Sequence, residues 1–498
     1  MFRAAVIFIA FFLISLPAAL LAEIEDLRPL EESLQLTEEG RHLSLKEAVR
    51  LAILRSLDIK IRDLDRKSKN AEILKSKSIY DTTFDTSFEY EHDSKQNASR
   101  IAGTKAITGN FDLSFEKKLL TGTDITVSLE HERSSTNSSF ATLNPSYRAV
   151  GKLSVTQPIL KNAFGFLDRS EVKLIKIDVE HFDYETRNRI EEAMRTVIDA
   201  YWQLVWVYEV LEARVEALER AKEFWEVTAE KFTFGMAEKP DLYAAEANVR
   251  NRFSDALVAR HEVENQVNQV QVLLDLAEDE WMIPTERPQF KEFSRSLDDA
   301  LVQAFTNRRD YEQAKLDIEM SNIRLRMKKN SLWPELDLEG SYASNALDLN
   351  VQNAEGEVFG FNHPTYFAKA ALTWPLENRE ARAEFRQAKY EKEKKILAFK
   401  KLEQEIYREI DDHWRGVLMS YKRAEQSEKV RDLQAKKLEE EEKNFRQGRS
   451  STKAVIDFQD DSIEAKLRAS EDLVAYERAK IDLLRTENTL LETLGISA

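Results

Sequence analysis

Apolar and polar positions divide the chain into two kinds of segment. From Asp168 to about Phe232 there is neither Pro nor Gly, and Ile190, Met194, Val197, Tyr201, Leu204, Tyr208, Leu211, Val215 and Leu218 recur in steps of four and three. That spacing predicts a helix packed along its length against other helices. About 65 residues at ~1.5 Å each make a rod of roughly 100 Å, longer than an ordinary globular domain encloses. Other segments alternate with period two, the mark of strands with one apolar and one polar face. Phe84, Thr86, Phe88 and Tyr90 interleave with Asp85, Ser87, Glu89 and Glu91. Ile107, Phe111, Leu113 and Phe115 interleave with Asn110, Asp112, Ser114 and Glu116. The same alternation runs over 124–130, 147–156, 336–342 and 366–374.

The pattern occurs twice. Ser44-Leu45-Lys46-Glu47-Ala48, a helix start with Ser44 as N-cap and Glu47 completing a capping box, returns as Ser296-Leu297-Asp298-Asp299-Ala300. Phe84-Asp85 returns as Leu336-Asp337, Val155-Thr156-Gln157-Pro158 as Leu372-Thr373-Trp374-Pro375, and Phe232 with Gly235 as Phe445 with Gly448. The chain therefore reads as an internal duplication. The first copy, 44–275, comprises a helix, strands over 80–158 and a helical hairpin over 168–275. A linker follows over 276–295, and the second copy, 296–498, has strands over 335–375 and a hairpin over 377–494. Its strand region is about 35 residues shorter than that of the first copy, which reads as four strands rather than two.

Composition narrows the class. Only 13 Gly and 10 Pro among 498 residues, with 33% charged, suit long solvated helices. A net charge of -16 offers no basic face, so no nucleic-acid partner is expected. Arg3, the apolar run Ala4 to Leu16 and the small residues up to Ala22 read as a secretory signal over 1–22, followed by an acidic N-terminal segment over 23–43. There is no Cys, which excludes a disulfide framework and a lipoprotein anchor. No later run is apolar enough for a spanning helix, so membrane insertion after export would use strands. A soluble sandwich shares the alternation. The length of the strands, the long polar loops 93–105, 135–146 and 343–365 set against the tight turn Leu120-Thr121-Gly122-Thr123, and Trp333 and Trp374 at the helix-proximal ends favour a membrane barrel.

Taken together, these features resemble the TolC family of outer-membrane efflux and secretion channels over nearly the whole mature length. The resemblance rests on the duplication, Leu332-Trp333-Pro334-Glu335-Leu336 leading into a strand, and Thr156-Gln157-Pro158-Ile159-Leu160 leading out of one. It rests also on the tips Phe232-Thr233-Phe234-Gly235 and Phe445-Arg446-Gln447-Gly448. It implies a fold that is mainly α with β: a homotrimeric transmembrane β-barrel continued by a periplasmic α-helical tunnel, in a Gram-negative outer membrane. The implied partners are outer-membrane lipid, a periplasmic adaptor protein and an inner-membrane transporter of RND, ABC or MFS type, in a tripartite efflux or type I secretion system. A few strands cannot close a pore alone, so oligomerisation is required on physical grounds too. The usual family barrel has twelve strands per trimer; the two further strands here leave open a wider barrel of eighteen or a hairpin folded outside the membrane. A periplasmic adaptor, which also carries a long hairpin, is the alternative reading.

Chemistry is sparse. The seven His show no metal-ligand spacing, and no phosphate loop or nucleophile motif appears, so neither enzyme activity nor a cofactor or metal is expected. With the apolar strand face toward lipid, Asp85, Glu89, Asp112, Glu116, Glu130, Asp337 and Glu339 face the lumen. The same register also turns Glu91 and Asp124 inward. The turns around Gly235, Met236 and Ala237, and around Gly448 and Arg449, are expected to be the tips that meet the adaptor. In the family two acids line the closed periplasmic aperture. Asp457 falls on the second, Ala454 on the first, and Asp461 is positioned to substitute because residues four apart share a helix face.

Overall fold

The computed structural model describes residues 40–94, 101, 103–276 and 281–495. The export signal expected over 1–22, and the acidic segment as far as residue 39, lie outside these residues. The described residues form two compact units, one within 1–63, 186–309 and 404–498, the other within 64–185 and 310–403. Helix accounts for 66% of the residues.

The first unit is helical. It holds α1 (Leu45–Arg55), most of α3 (Phe166–Thr233), α4 (Lys239–Leu274), α5 (Leu297–Asn307), the second half of α8 (Arg379–Arg446), α9 (Thr452–Thr486) and the short α10 (Leu490–Thr493). The heptad positions of α3 form its core: Met194, Tyr201 and Leu204 are fully buried, and Ile190, Tyr208 and Val215 pack against them. Ile198, Trp202, Val205 and Val207 are buried as well. The buried face is thus wider than a two-helix seam, because it meets Val263, Val267 and Leu274 of α4 as well as Ala48, Val49 and Ala52 of α1. Truncating such a residue to Ala typically costs about 2–5 kcal/mol.

The stretches on either side of the first copy pair as a two-stranded parallel sheet, β1 (Arg41–Leu43) with β6 (Met282–Pro284). Polar groups fix it to α3. The Tyr208 hydroxyl donates to the Met282 carbonyl at 2.7 Å, and the Tyr201 hydroxyl, two turns away, reaches the Leu43 carbonyl and the Glu286 carboxylate. Glu286 in turn accepts the Leu45 amide at 2.9 and 3.0 Å, serving the N-terminus of α1 from the linker. Ser44 and Ser296 cap α1 and α5 alike through the amides of Glu47 and Asp299. The Glu47 carboxylate pairs with Arg41 at 2.7 Å.

The second unit carries a six-stranded antiparallel sheet. Its strands are β2 (Thr82–Asp93), β3 (Ala106–Lys118), β4 (Asp124–Thr136), β5 (Ser146–Pro158), β7 (Glu335–Asp348) and β8 (Pro364–Thr373), hydrogen-bonded in that order. The sheet is open, with β2 and β8 as its edges. The unit also includes most of α2 (Leu57–Lys77) and of α6 (Arg309–Asn330). The turn between β3 and β4 closes through Leu119 and Thr123 at 2.8 Å and rests on the loop before α3, where Gly122 meets Gly165 backbone to backbone.

The stretch 343–365, expected as a polar loop, is not one. It completes β7 and then forms α7 (Val351–Gly360), which packs on β5 and β7. Ala354 and Val358 are buried there against Ala149 and Ala346, and a Cβ on Gly151 would stand 3.0 Å from Val358. Only small strand residues admit a helix so close. The sequence conceals the helix because its buried pair, Ala354 and Val358, spans a single turn, too short a periodicity to read, while Val351 and Phe359 stay exposed.

Candidate channel wall and helical tips

Register determines which side chains share a face, since direct partners in a sheet project to the same side. One row across all six strands runs Phe84, Phe115, Val127, Leu153, Tyr342 and Tyr366. Phe84 and Phe115 lie 4.9 Å apart centroid to centroid, and Tyr342 and Tyr366 5.4 Å. Phe84, Phe115, Val127, Leu153 and Tyr366 are exposed, Tyr366 to 78%, and Tyr342 is half-buried. An exposed apolar row of this kind marks a partner or membrane contact; beyond it on the same face, at Ala149, Gly151 and Ala346, the sheet is covered by α7.

The opposite face is polar and acidic. Asp85, Glu89, Asp112, Glu116, Glu130, Asp337 and Glu339 all lie on it by register. Glu91 and Asp124 lie there as well, and so does Glu132, which the sequence reading missed because β4 continues beyond residue 130 to Thr136. Asp112 is directly opposite Glu130, an arrangement of like charges that only a well-solvated surface tolerates cheaply. Ser87 donates to Asp112 at 3.0 Å, Asn110 reaches Glu89 at 3.5 Å, and Lys369 lies 3.8 Å from Glu339. Arg148 and Lys152 are the basic residues of β5 on this face.

The two expected tips have the same backbone design. After α3, the Gly235 amide donates to the Phe232 carbonyl and the Met236 amide to that of Lys231; after α8, Gly448 donates to Phe445 and Arg449 to Asn444. Both are Schellman endings with glycine in the left-handed region, at φ 72° and 75°. Phe234, Met236 and Arg449 are exposed, and Ala237 is half-buried. Beneath them Phe224 packs on Phe445 at 4.9 Å and Lys231 sits 3.9 Å over the Phe445 ring, where burial lowers its pKa.

Asp457 and Asp461 are each ion-paired within the chain. Asp457 binds Lys453 one turn before it at 2.8 Å, and Asp461 binds Lys437 of α8 at 3.0 Å. Neighbouring groups tie α9 to α4: Asn248 donates to Gln459 at 2.9 Å in a buried contact, and Arg252 pairs with Asp460. Only the acids were conspicuous in the sequence; Arg252 and Asn248 lie on α4 of the other copy, and nothing local signals the pairing. Among the described residues no group of three or more His, Asp or Glu side chains is placed to hold a metal ion. No described helix is long and apolar enough to cross a membrane.

No protein-family model and no curated protein sequence matches the chain. Solved structures do. CusC, described with its transmembrane channel formation, matches with a TM-score of 0.67 at 12% identity over 92% of this chain and 93% of its own. The Campylobacter jejuni CmeC outer-membrane channel matches with 0.65 at 16% identity, over 92% and 91%. The Vibrio cholerae outer-membrane protein VceC matches with 0.64 at 13% identity, over 91% and 96%. Long helical hairpins joined to an open sheet are thus the fold this chain shares with these channel proteins. More particularly, it is the TolC-type fold that the sequence resembles.

Proposed function

We propose that the chain is the outer-membrane channel of a tripartite efflux or type I secretion system, a homotrimer and not an enzyme. The observation that carries this reading is the open sheet within a TolC-type fold. It has one apolar and one acidic face, and edges of 12 and 10 residues that no described strand covers. Long bare edges are unstable in water and untenable in lipid, and closure removes them. With an even number of strands, β8 of one copy runs antiparallel to β2 of the next, so a ring of copies closes with ordinary pairing.

In that assembly the apolar row contacts outer-membrane lipid. Asp85, Glu89, Asp112, Glu116, Glu130, Asp337 and Glu339 line the lumen. The tips at Gly235, Met236, Ala237, Gly448 and Arg449 meet a periplasmic adaptor, which links the channel to an inner-membrane transporter. Asp457 and Asp461 line the periplasmic aperture. Transport through it is passive; the inner-membrane transporter supplies the energy. The test is purification in detergent followed by planar-bilayer recording. A heat-sensitive trimer that conducts is expected; a stable monomer without conductance refutes the proposal.

A further inference from the structure

We propose that the β3–β4 hairpin is an inserted piece of the membrane wall, giving eighteen strands to a barrel of three copies and an exit wider than twelve strands enclose. This rests on the trimeric channel reading above.

The matching of Phe84-Asp85 to Leu336-Asp337, and of Val155 to Leu372, aligns β2 with β7 and β5 with β8. The strands without a counterpart are β3 and β4. They lie in the middle of the sheet, with β3 paired to β2 from Ala106 to Lys117 and β4 paired to β5 from Asp124 to Ser134. Lifting the hairpin out would expose two further edges. Its residues follow the neighbouring pattern, with Phe111, Phe115 and Val127 on the apolar face and Asp112, Glu116 and Glu130 on the acidic one.

Length and tilt agree. The hydrogen-bonded row through Thr82 continues through Lys117, Ile125, Val155, Gly340 and Ala368. Thr82 opens β2, whereas Ala368, in the sixth strand, lies five residues before the end of β8 at Thr373. A stagger of about five residues over five strand spacings, at ~3.3 Å per residue and ~4.8 Å between strands, is a tilt of roughly 35°. Outer-membrane strands tilt by about 35–45°. At that tilt the 13 residues of β3 rise about 35 Å, more than the ~25 Å apolar band of such barrels.

Barrel diameter grows with strand number. Eighteen strands at this tilt give about 34 Å between opposite backbones and twelve about 22 Å. With ~5–6 Å of side chain on each side, the free radius is about 11 Å rather than ~5–6 Å. Such an exit passes cargo as wide as a helical hairpin, each helix being ~10–12 Å across.

The experiment uses the full chain in intact cells, with single cysteines at the sequence neighbours Glu116 and Phe115, which lie on opposite faces near the helix-proximal end of β3. Membrane-impermeant maleimides of about 4 and about 9 Å hydrodynamic radius are applied from outside, and the trimer is followed by gel mobility. Glu116→Cys is expected to react with both reagents and Phe115→Cys with neither. Reaction of both cysteines places the hairpin outside lipid and overturns the proposal. Reaction of Glu116→Cys with the small reagent alone overturns the wide exit while leaving the trimeric channel intact. A monomer that labels without size preference overturns the channel reading and this inference together.

Discussion

The contact between Gly122 and Gly165 permits a prediction in which strain and overlap are separated. Gly122 and Gly235 have nearly the same left-handed backbone, at φ 69° and 72°. An L-residue in that region costs about 1–2 kcal/mol, so Ala at either site loses that much. The surroundings differ. A Cβ on Gly235 meets nothing within 4 Å, whereas on Gly122 it stands 2.6 Å from the Gly165 amide nitrogen and 2.7 Å from its Cα. Backbone atoms cannot rotate aside, and the Gly122 turn is also held by Thr123 donating to Gln157 at 2.5 Å. Overpacking of this kind adds about 1–3 kcal/mol, bringing Gly122→Ala to about 2–5 kcal/mol. The assay is amide hydrogen exchange over peptides 117–125 and 231–240 in detergent micelles, which reads local opening directly. At tenfold per ~1.4 kcal/mol, Gly235→Ala should lower protection at the α3 end about 5- to 30-fold, with 117–125 unchanged. Gly122→Ala should lower protection across 117–125 by about 30- to 4000-fold. Equal losses at the two sites would refute the reasoning, since they would show that the close approach of the two turns carries no energy.

Four further outcomes are expected. Glu487 is fully buried against Arg295 at 2.8 Å, and burial is the main cause that raises its carboxyl above the usual range. A carboxyl raised in the folded state favours folding while protonated and loses that contribution as pH rises through its folded pKa, so Glu487→Gln should flatten the fall in the urea midpoint between mildly acidic and neutral pH; an unchanged slope contradicts this. Cysteines at Met236 and Arg449 should crosslink to an adaptor in cells, and absence of adducts at both removes the tip assignment. Asp457→Ala should change divalent-ion block from the periplasmic side, and because Lys453 holds Asp457 at 2.8 Å, Lys453→Ala should deepen the block rather than relieve it; wild-type behaviour in both places the aperture elsewhere. At low salt, where screening is weakest, the acidic face should give a modest cation preference, and an anion-selective reversal potential contradicts it.

Much of this was readable from periodicity. The α3 seam from Ile190 to Leu218 follows from heptad spacing, and the strands from strict alternation, because both patterns are local consequences of one apolar face. The Ser44 and Ser296 caps and the glycines at 235 and 448 were equally legible, since a helix end needs specific atoms within a few residues. What the sequence concealed depends on groups far apart in it. Glu286 looked like an ordinary linker acid, yet it serves the Leu45 amide and Tyr201. Asp461 looked free to face an axis, but Lys437, on another helix, pairs with it. α7 was lost because the residues that receive it, Ala149, Gly151 and Ala346, signal their role by being small, which no alternation records.

In the trimeric channel proposed above, the central position of the β3–β4 hairpin also constrains how the barrel can change size. The chain must leave β5 on the side where the following helix begins, with Phe166 only eight residues after Pro158. A single added strand would deliver that helix to the opposite side of the membrane and would turn the joint between neighbouring copies parallel. Strands can therefore be gained only in pairs, and threefold repetition multiplies each pair, so the circumference grows in steps of six strands. Pore width in this architecture is then a discrete inherited quantity, altered by duplicating or deleting a whole hairpin and not by gradual substitution along the wall.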